Sequence, residues 1–380
     1  LVEINKGKFM DSALQSYLNA NAGEAQALLE RLCRQPSIAA QGVGIDAMAG
    51  LTEGLLQEAG FTTRRLLAEG APPAIFAEQK GRSPYTLLLY NHYDVQPAEP
   101  LDLWHSPAFE PTVRDGKLFA RGSSDNKGEI AARLAAIRAL RATYGELPIS
   151  IRWIIEGEEE VGSPHFAAIA EPYADLLKAD GCLWEGSSFT VDGRPELILG
   201  TKGLLYVQLD ITCLGGDAHS GNAPMLPSAA WRLVQALATL RSPEGRVQLP
   251  GFYESVIAPT AAQLAALADQ PDDEAELRAA FGVERFADSL TGLALRERQA
   301  FSPTCNIAGL VSGYTGEGSK TVLPAKAMAK IDFRLVPGQD PDAILASLRS
   351  HLDAHGYNDI AVSTFGSCAA VVTPIDEPFV

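Results

Sequence analysis

The sequence contains few cysteines, and they do not form the patterns typical of structural metal sites or disulfide frameworks. Five cysteines are scattered through 380 residues, and no two of them stand in a Cys-x-x-Cys pair. An odd number of scattered cysteines is typical of reduced thiols, whereas small secreted domains carry even numbers at regular spacings. We therefore expect a cytoplasmic protein without a disulfide framework or a structural zinc knuckle.

Positive charge and long apolar runs are also scarce. The chain has 31 lysines and arginines against 47 aspartates and glutamates, which gives a formal net charge of −16. This charge argues against binding of nucleic acid or an anionic membrane by bulk electrostatics. No apolar stretch approaches the roughly 20 residues of a membrane-spanning helix. With 46% hydrophobic residues and a length too great for one ordinary core, the sequence is typical of a globular protein of two domains.

The sequence does contain a concentration of carboxylates directly after an apolar run. Residues 149–163 read ISIRWIIEGEEEVGS, with four acids in five positions: Glu156, Glu158, Glu159 and Glu160. The apolar run is typical of a buried strand, although a buried helix has the same signature. In open α/β sheets, ligands bind at the carboxyl ends of strands. Acids this close repel one another, so they either extend into water as an acidic turn or are held by a cation.

Three other apolar runs or turns also end in residues able to bind a metal ion. The run TLLLY precedes His92 and Asp94, which point the same way in an extended chain and either share one site or simply cap a turn. Asp125 stands before a helix, as an N-cap or as a bridge between two metal ions. The run ADGCLW precedes Glu185. Four such ends in succession predict an α/β fold with a mostly parallel sheet, whose carboxyl edge carries oxygen ligands and one imidazole.

The pattern of the sequence changes after residue 202. Strand and helix signals then follow in the ferredoxin-like order β-α-β-β-α-β, once a helical, alanine- and acid-rich insertion at residues 250–300 is set aside. Such a segment can fold as its own domain. We therefore predict a metal-binding domain of residues 1–202 plus 365–380 and an inserted domain of residues 203–364.

Seven motifs give the chain a specific resemblance to a known family. They are NHYDVQP (91–97), ARGSSDNKGE (120–129), EGEEEVGS (156–163), LWEG (183–186), GGDAHSG (215–221), SKTVLPAKA (319–327) and IDFRLVPG (331–338). Their order and separations, over nearly the whole chain, resemble the M20 family of metallopeptidases, particularly its carnosinase-like dipeptidase branch. The resemblance implies that the first domain is catalytic, that the inserted domain is a lid and dimerisation domain, and that the protein is a homodimer.

The resemblance also implies roles for the residues at the first two of these motifs. His92 is expected to bind a metal ion, and Asp94 to orient the His92 ring. Asp125 is expected to bridge two metal ions. The family further implies a cis peptide bond between Asp125 and Asn126.

In the acidic run, the resemblance places a general base beside a metal ligand. Glu159 takes the position of the base and Glu160 that of the ligand, while Glu185 takes the position of a further acidic ligand. A shift of one residue, to Glu158 and Glu159, is the alternative frame. The sequence alone leaves open which acid serves which ion.

In the inserted domain, three residues match functional positions of the family. His219 matches a histidine that reaches across a dimer and stabilises the reacting oxyanion in the other subunit; a hydrogen-bonded loop histidine is the alternative. Thr321 and Arg334 match substrate-binding positions. The Arg334 guanidinium suits bidentate binding of a substrate carboxylate, although a surface ion pair at a strand end is the alternative.

Together these assignments imply a metal-dependent peptidase that acts on dipeptides or short peptides with a free C-terminal carboxylate. The implied mechanism uses water activated by two divalent ions, with Glu159 as general base. Zinc suits a site of imidazole and carboxylates with an open position, and manganese is the second choice. The alternatives are an N-acyl-amino-acid deacylase of the same family and a truncated, non-catalytic homologue.

The sequence departs from the family at its C-terminal end. The family's last metal ligand is a histidine that follows a glycine-rich segment near the C-terminus. The chain ends in TPIDEPFV, and none of its six histidines follows His355. We therefore expect this chain to be a truncated form in which one metal ion lacks a ligand.

Overall fold

The computed structural model describes residues 11–186 and 188–380, which divide into two compact units. The first unit ends before Ser188 and also includes Phe379, and the second comprises Ser188–Pro378 and Val380. The predicted domains of residues 1–202 plus 365–380 and of residues 203–364 stay predictions, and the first ten residues lie outside the described part. No helix in the described ranges is both long and apolar enough to span a membrane.

A five-stranded sheet of order β1-β2-β6-β3-β7 forms the centre of the first unit. The strands of this unit are β1 (Thr62–Leu66), β2 (Ala74–Gln79), β3 (Thr86–His92), β4 (Thr112–Arg114), β5 (Lys117–Phe119), β6 (Ser150–Glu156) and β7 (Gly181–Leu183). Strands β4 and β5 pair separately as a hairpin.

The central sheet is mixed, not mostly parallel as the sequence predicted. Strands β6 and β7 run parallel to β3, whereas β2 runs antiparallel to both β1 and β6. The connections on either side of β2 span only residues 67–73 and 80–85. A parallel crossover requires a dozen or more residues, so β2 runs opposite both to its neighbour β1 and to β3, which lies beyond β6 in the sheet. The parallel part of the sheet is the part that carries the predicted site.

Helices cover both faces of this sheet. They are α1 (Ser12–Ala20), α2 (Ala22–Arg34), α3 (Ile45–Glu58), α4 (Lys127–Tyr144), α5 (Phe166–Ala170) and α6 (Ala174–Leu177). Trp153 and Ile155 of β6 pack with α2, α3 and α4 on one face, and Ile154 packs with α5 on the other. Because successive strand residues point to opposite faces, a strand covered on both faces is apolar throughout. This burial accounts for the three consecutive apolar residues, 153–155, that precede Glu156 at the end of β6.

Helix α4 lies between β3 and β6 in the sequence and begins beside the predicted Asp125 site. Its composition is rich in alanine, and Ile130, Leu134 and Ile137 form a buried stripe at helical spacing. The helix ends at Gly145, whose φ of 81° suits a residue without a side chain. The start of α4 is thereby held against the carboxyl ends of the parallel strands.

The second unit is organised around a four-stranded antiparallel sheet of order β13-β15-β11-β16. Its strands are β8 (Ser188–Phe189), β9 (Pro195–Glu196), β10 (Gly200–Thr201), β11 (Gly203–Thr212), β12 (Ala218–His219), β13 (Thr304–Ser312), β14 (Val322–Leu323), β15 (Lys326–Leu335), β16 (Ala361–Cys368) and β17 (Val371–Val372). Its helices are α7 (Ala229–Leu240), α8 (Ala261–Ala268), α9 (Glu274–Phe281), α10 (Gly292–Phe301) and α11 (Pro341–Ala354).

Helices α7 and α11 pack against this sheet around Phe252 and Phe333. The main elements follow one another as β11-α7-β13-β15-α11-β16, which is the β-α-β-β-α-β order predicted from the sequence. Helices α8, α9 and α10 lie between α7 and β13, within or next to the helical insertion predicted at residues 250–300.

Candidate metal centre

The carboxyl ends of three parallel strands meet at one edge of the first unit's sheet. His92 is the last residue of β3 and lies opposite Glu156, the last residue of β6. On the other side of β3, the short strand β7 ends at Leu183, and Trp184 and Glu185 follow it. Parallel neighbours end at the same edge, so this pairing brings residues from distant parts of the sequence together.

His92, Asp125 and Glu185 form a compact group of potential metal ligands. Nε2 of His92 lies 3.0 Å from Oδ1 of Asp125 and 3.1 Å from Oε2 of Glu185. One ligand atom from each residue lies within 4.8 Å of the other two. The His92 side chain is fully buried, whereas 72% of the Asp125 side chain is exposed. The peptide bond between Asp125 and Asn126 is cis, as the resemblance implied. The group therefore has a buried side and a side open to solvent.

The hydrogen bonding of this group fits a divalent cation. Oε2 of Glu185 is buried and accepts no well-aligned hydrogen bond from a described residue, although it lies close to His92. A single imidazole nitrogen donates at most one proton, so it cannot satisfy two carboxylates that converge on it. Buried carboxylate oxygens without donors are costly, and a cation removes that cost. An imidazole and two carboxylates are ligands that zinc and similar ions accept.

Asp94 contacts the His92 ring from the opposite side. Nδ1 of His92 lies 3.1 Å from the backbone oxygen of Asp94 and 3.2 Å from its Oδ1. The Asp94 carboxylate is itself held by the backbone N–H groups of Glu159 and Glu160, at 3.2 and 3.1 Å. With its Nδ1 proton directed at Asp94, the ring presents Nε2 to Asp125 and Glu185. This is the arrangement in which a carboxylate fixes the tautomer of a metal-binding histidine.

The charges around His92 determine its protonation in the absence of a metal ion. Burial lowers the pKa of His92, but the neighbouring carboxylates of Asp94 and Glu185 outweigh burial and raise this pKa to about 11. The ring therefore holds a proton that a metal ion would have to displace.

The three consecutive acids after Gly157 have different partners. Glu159 approaches the ligand group, with its Oε2 3.8 Å from Nε2 of His92. Glu158 accepts a hydrogen bond from Nδ1 of His165 at 2.8 Å, and Glu160 accepts one from Nε2 of Gln96 at 2.8 Å. Glu160 is therefore outside the group formed by His92, Asp125 and Glu185, and its role as a ligand stays a prediction.

The surroundings of Glu159 change its acidity. Burial raises the pKa of Glu159 to about 7, while the charge of His92 limits the rise. A carboxyl group with a pKa near neutrality both accepts and returns a proton at physiological pH, which is the property of a general base. Glu159 occupies a short 3₁₀ turn, Glu159–Val161, that directly follows β6 and Gly157-Glu158.

Glu156, the first of the four acids, is a buried structural residue, which the sequence did not distinguish from the others. Its Oε1 accepts hydrogen bonds from the hydroxyl of Tyr90 at 2.6 Å and from Oγ of Ser163 at 2.9 Å. Burial raises the pKa of Glu156, and these two hydrogen bonds oppose the rise. Trp184 stacks on the Tyr90 ring with a centroid separation of 3.6 Å. Glu156 thus ties both ends of the acidic segment to β3.

The three predicted site residues of the second unit lie on its strands and loops. His219, at the end of β12, accepts a hydrogen bond at Nδ1 from the N–H of Gly221 at 3.0 Å. Its Nε2 lies 3.3 Å from Oγ1 of Thr321, so these two predicted residues are neighbours. Arg334 lies on β15, with Nε 3.9 Å from a carboxylate oxygen of Asp332. The functional roles of these three residues stay predictions.

The sequence of this chain is similar to the sequences of known peptidases. A family model described as Peptidase family M20/M25/M40 matches residues 88–380. The Beta-Ala-His dipeptidase of Rattus norvegicus is 31% identical over 308 residues, which cover 77% of this chain and 61% of that protein. The Cys-Gly metallodipeptidase dug1 of Schizosaccharomyces pombe is 30% identical over 298 residues, which cover 74% of this chain and 60% of that protein.

A solved structure extends the likeness to the whole fold. The crystal structure of an M20 family metallo-carboxypeptidase, Sso-CP2, from Sulfolobus solfataricus superposes with a TM-score of 0.83 and 36% sequence identity. The match covers 97% of this chain and 80% of that one. The chain spans about three fifths of the length of the curated relatives it matches. The chain belongs to peptidase family M20/M25/M40.

Proposed function

We propose that the protein is a metal-dependent peptidase that hydrolyses dipeptides or short peptides with a free C-terminal carboxylate. The observation that carries this proposal is the convergence of His92, Asp125 and Glu185 on one point, with Glu159 at its edge. The names of the relatives describe two dipeptidases and a carboxypeptidase, all of which support a peptide substrate.

The metal ions would be held by residues at the carboxyl edge of the sheet. His92, Asp125 and Glu185 would hold one divalent ion, and Glu160 would contribute to a second ion that shares Asp125. A bound divalent ion polarises the peptide carbonyl and lowers the pKa of water, which makes hydrolysis feasible at neutral pH. Zinc is our first choice for these ligands and manganese the second.

Glu159 would transfer the proton during hydrolysis. Its carboxylate takes a proton from the attacking water and later delivers that proton to the departing amine. The pKa of about 7 suits both transfers. Asp94 contributes indirectly, because it holds the His92 ring and the backbone N–H groups of the Glu159 turn together.

The second unit would act as a lid and dimerisation domain that supplies further binding groups. Because Nδ1 of His219 accepts a hydrogen bond from Gly221, its proton is on Nε2, which is the form that donates to an oxyanion. In the proposed homodimer, His219 stabilises the oxyanion that forms in the partner subunit. Arg334 binds the terminal carboxylate of the peptide, and Thr321 contacts the substrate beside His219.

Replacing His219 with alanine is expected to lower turnover by about 10²–10³ with no change in bound metal, because one oxyanion donor is removed. Steady-state hydrolysis and metal content would be measured together. His105→Ala is a suitable control, because His105 is exposed and makes no hydrogen bond within the described residues. Unchanged turnover in His219→Ala would exclude the oxyanion role.

The proposed substrate class is tested with three sets of compounds, using the full-length protein loaded with Zn²⁺ or Mn²⁺. We expect hydrolysis of dipeptides, much slower hydrolysis of the same dipeptides with an amidated C-terminus, and little release of amino acids from N-acyl amino acids. The amide lacks the charge that Arg334 would bind. Hydrolysis confined to N-acyl amino acids, or none of any compound, would refute the proposal.

A further inference from the structure

Helix α4 carries an ion pair, Glu129 and Arg133, whose side chains reach the segments that bear the predicted metal ligands. The two residues are one helical turn apart, and Nη2 of Arg133 lies 3.4 Å from Oε2 of Glu129. Only 12–13% of either side chain is exposed. Burial of two charges has a desolvation cost that is offset only when their remaining polar atoms are well bonded. The remaining polar atoms of this pair bond to the segments on either side of the site.

Arg133 links the ends of two parallel strands. Its Nη1 donates to the backbone oxygen of Tyr90 and to Oδ1 of Asn91, both at 2.6 Å. Its Nη2 donates to the backbone oxygen of Trp184 at 2.5 Å. Asn91 immediately precedes His92, and Trp184 immediately precedes Glu185. The planar guanidinium therefore joins the backbone before one predicted ligand to the backbone before another.

Glu129 and Asn91 extend the same network to both sides of the site. Oε1 of Glu129 accepts a hydrogen bond from the N–H of Gly186, the residue after Glu185, at 2.9 Å. Nδ2 of Asn91 donates to Oδ1 of Asn126, the residue after Asp125. The network thus reaches the chain next to His92, Asp125 and Glu185.

Two other contacts hold the segment that carries Glu185, namely the pairing of β7 with β3 and the stacking of Trp184 on the Tyr90 ring. Strand β7 has three residues, lies at the edge of the sheet and, among the strands that the structure describes, pairs only with β3. The bonds made by Arg133 and Glu129 attach residues 184–186 to α4 independently of β7.

We propose that Glu129 and Arg133 form a clamp that positions the three metal-binding side chains before a metal ion binds. The inference rests on the proposed function, because it concerns the same metal site. Neither residue is expected to contact metal or substrate, so both are positioning residues. Lysine cannot replace Arg133 in this role, since a single ammonium group lacks the planar pair of donors that spans both strand ends.

The first test measures metal affinity without any substrate. Co²⁺ would be titrated into the metal-free, full-length protein and followed by visible absorption. Partners that orient metal ligands typically contribute 10–100-fold to affinity, so Arg133→Lys is expected to weaken Co²⁺ binding by roughly that factor. Arg138→Lys, on the same helix, is the matched control, because the Arg138 side chain makes no hydrogen bond or ion pair within the described residues. Equal Co²⁺ affinity in Arg133→Lys and the wild-type protein would overturn the proposal of a clamp.

The second test measures backbone hydrogen exchange in the metal-free protein. We expect Arg133→Lys to accelerate exchange in peptides that cover residues 181–186, with little change in β1 and β2. Acceleration throughout the first unit would indicate general loss of stability and would also overturn the clamp. If the wild-type protein binds no Co²⁺, the proposed function fails. In that case, the clamp is tested only by whether Arg133→Lys accelerates hydrogen exchange locally at residues 181–186.

Discussion

Glu159→Gln is expected to lower peptide hydrolysis by about 10²–10⁴ while the protein keeps its full metal content. Glutamine has nearly the size and shape of glutamate but cannot accept a proton from water. The Glu159 carboxylate lies 3.8 Å from Nε2 of His92, and burial raises its pKa to about 7; these two properties are the basis of the expected loss. The measurements are kcat on a dipeptide at saturating metal and the metal content after dialysis.

Glu158→Gln is the matched control, and it also decides between the two frames of the acidic run. In the frame we favour, Glu158 only accepts a hydrogen bond from His165, so its replacement should change kcat little. In the alternative frame, Glu158→Gln would abolish turnover and Glu159→Gln would release metal. A Glu159→Gln protein with near-normal kcat would eliminate Glu159 as the base.

Asp125→Ala is expected to lose metal binding with little change in the stability of the metal-free protein. Because 72% of the Asp125 side chain is exposed, its removal should change the free energy of unfolding by only about 0.5 kcal/mol. It would, however, remove a ligand proposed to serve both ions. The loss of metal affinity should be larger than the roughly 10–100-fold loss that is typical when a residue that only orients a metal ligand is replaced.

Metal-dependent thermal shifts measure this loss directly. A ligand at 100 times its Kd stabilises a protein by about 2.7 kcal/mol, which corresponds to a rise in Tm of roughly 5–10 °C for a unit of this size. The original protein should show this rise with Zn²⁺ or Mn²⁺, and Asp125→Ala should not. Asp175→Ala is the control, because the Asp175 side chain is 91% exposed and its one contact with the described residues is a surface ion pair with Lys178. A full shift in Asp125→Ala would contradict the proposed ligand set.

The strand ends were predictable because their signals are local. A buried strand is apolar throughout, and a group of acids directly after it is visible in the sequence without knowledge of the partner strands. His92 and Glu185 could be identified from strand ends and Asp125 from the turn before α4, and the structure brings these three together. The order β-α-β-β-α-β of the second unit was likewise readable from alternating apolar patterns and helical spacing.

The individual tasks of the acids were not predictable, because they depend on where each side chain points. Glu156, Glu158 and Glu160 differ little in sequence context, yet their carboxylates bond to Tyr90, His165 and Gln96 respectively. Glu156 is the last residue of β6, Glu158 precedes a 3₁₀ turn, and Glu160 lies within that turn. Neighbouring positions in a strand or a turn direct their side chains to different surfaces. The sequence therefore predicted a cation site in this segment but left its frame open.

By itself, the sequence determined which segments are buried strands and which residue types follow them, because burial and ligand chemistry depend on local composition. Tertiary structure alone decided the mixed direction of the sheet, the partner of each acid and the clamp of Glu129 and Arg133. These features depend on contacts between residues far apart in the chain, such as Arg133 with Trp184. Such contacts result from the packing of α4 against the strand ends, and this packing cannot be predicted from the periodicity of the sequence.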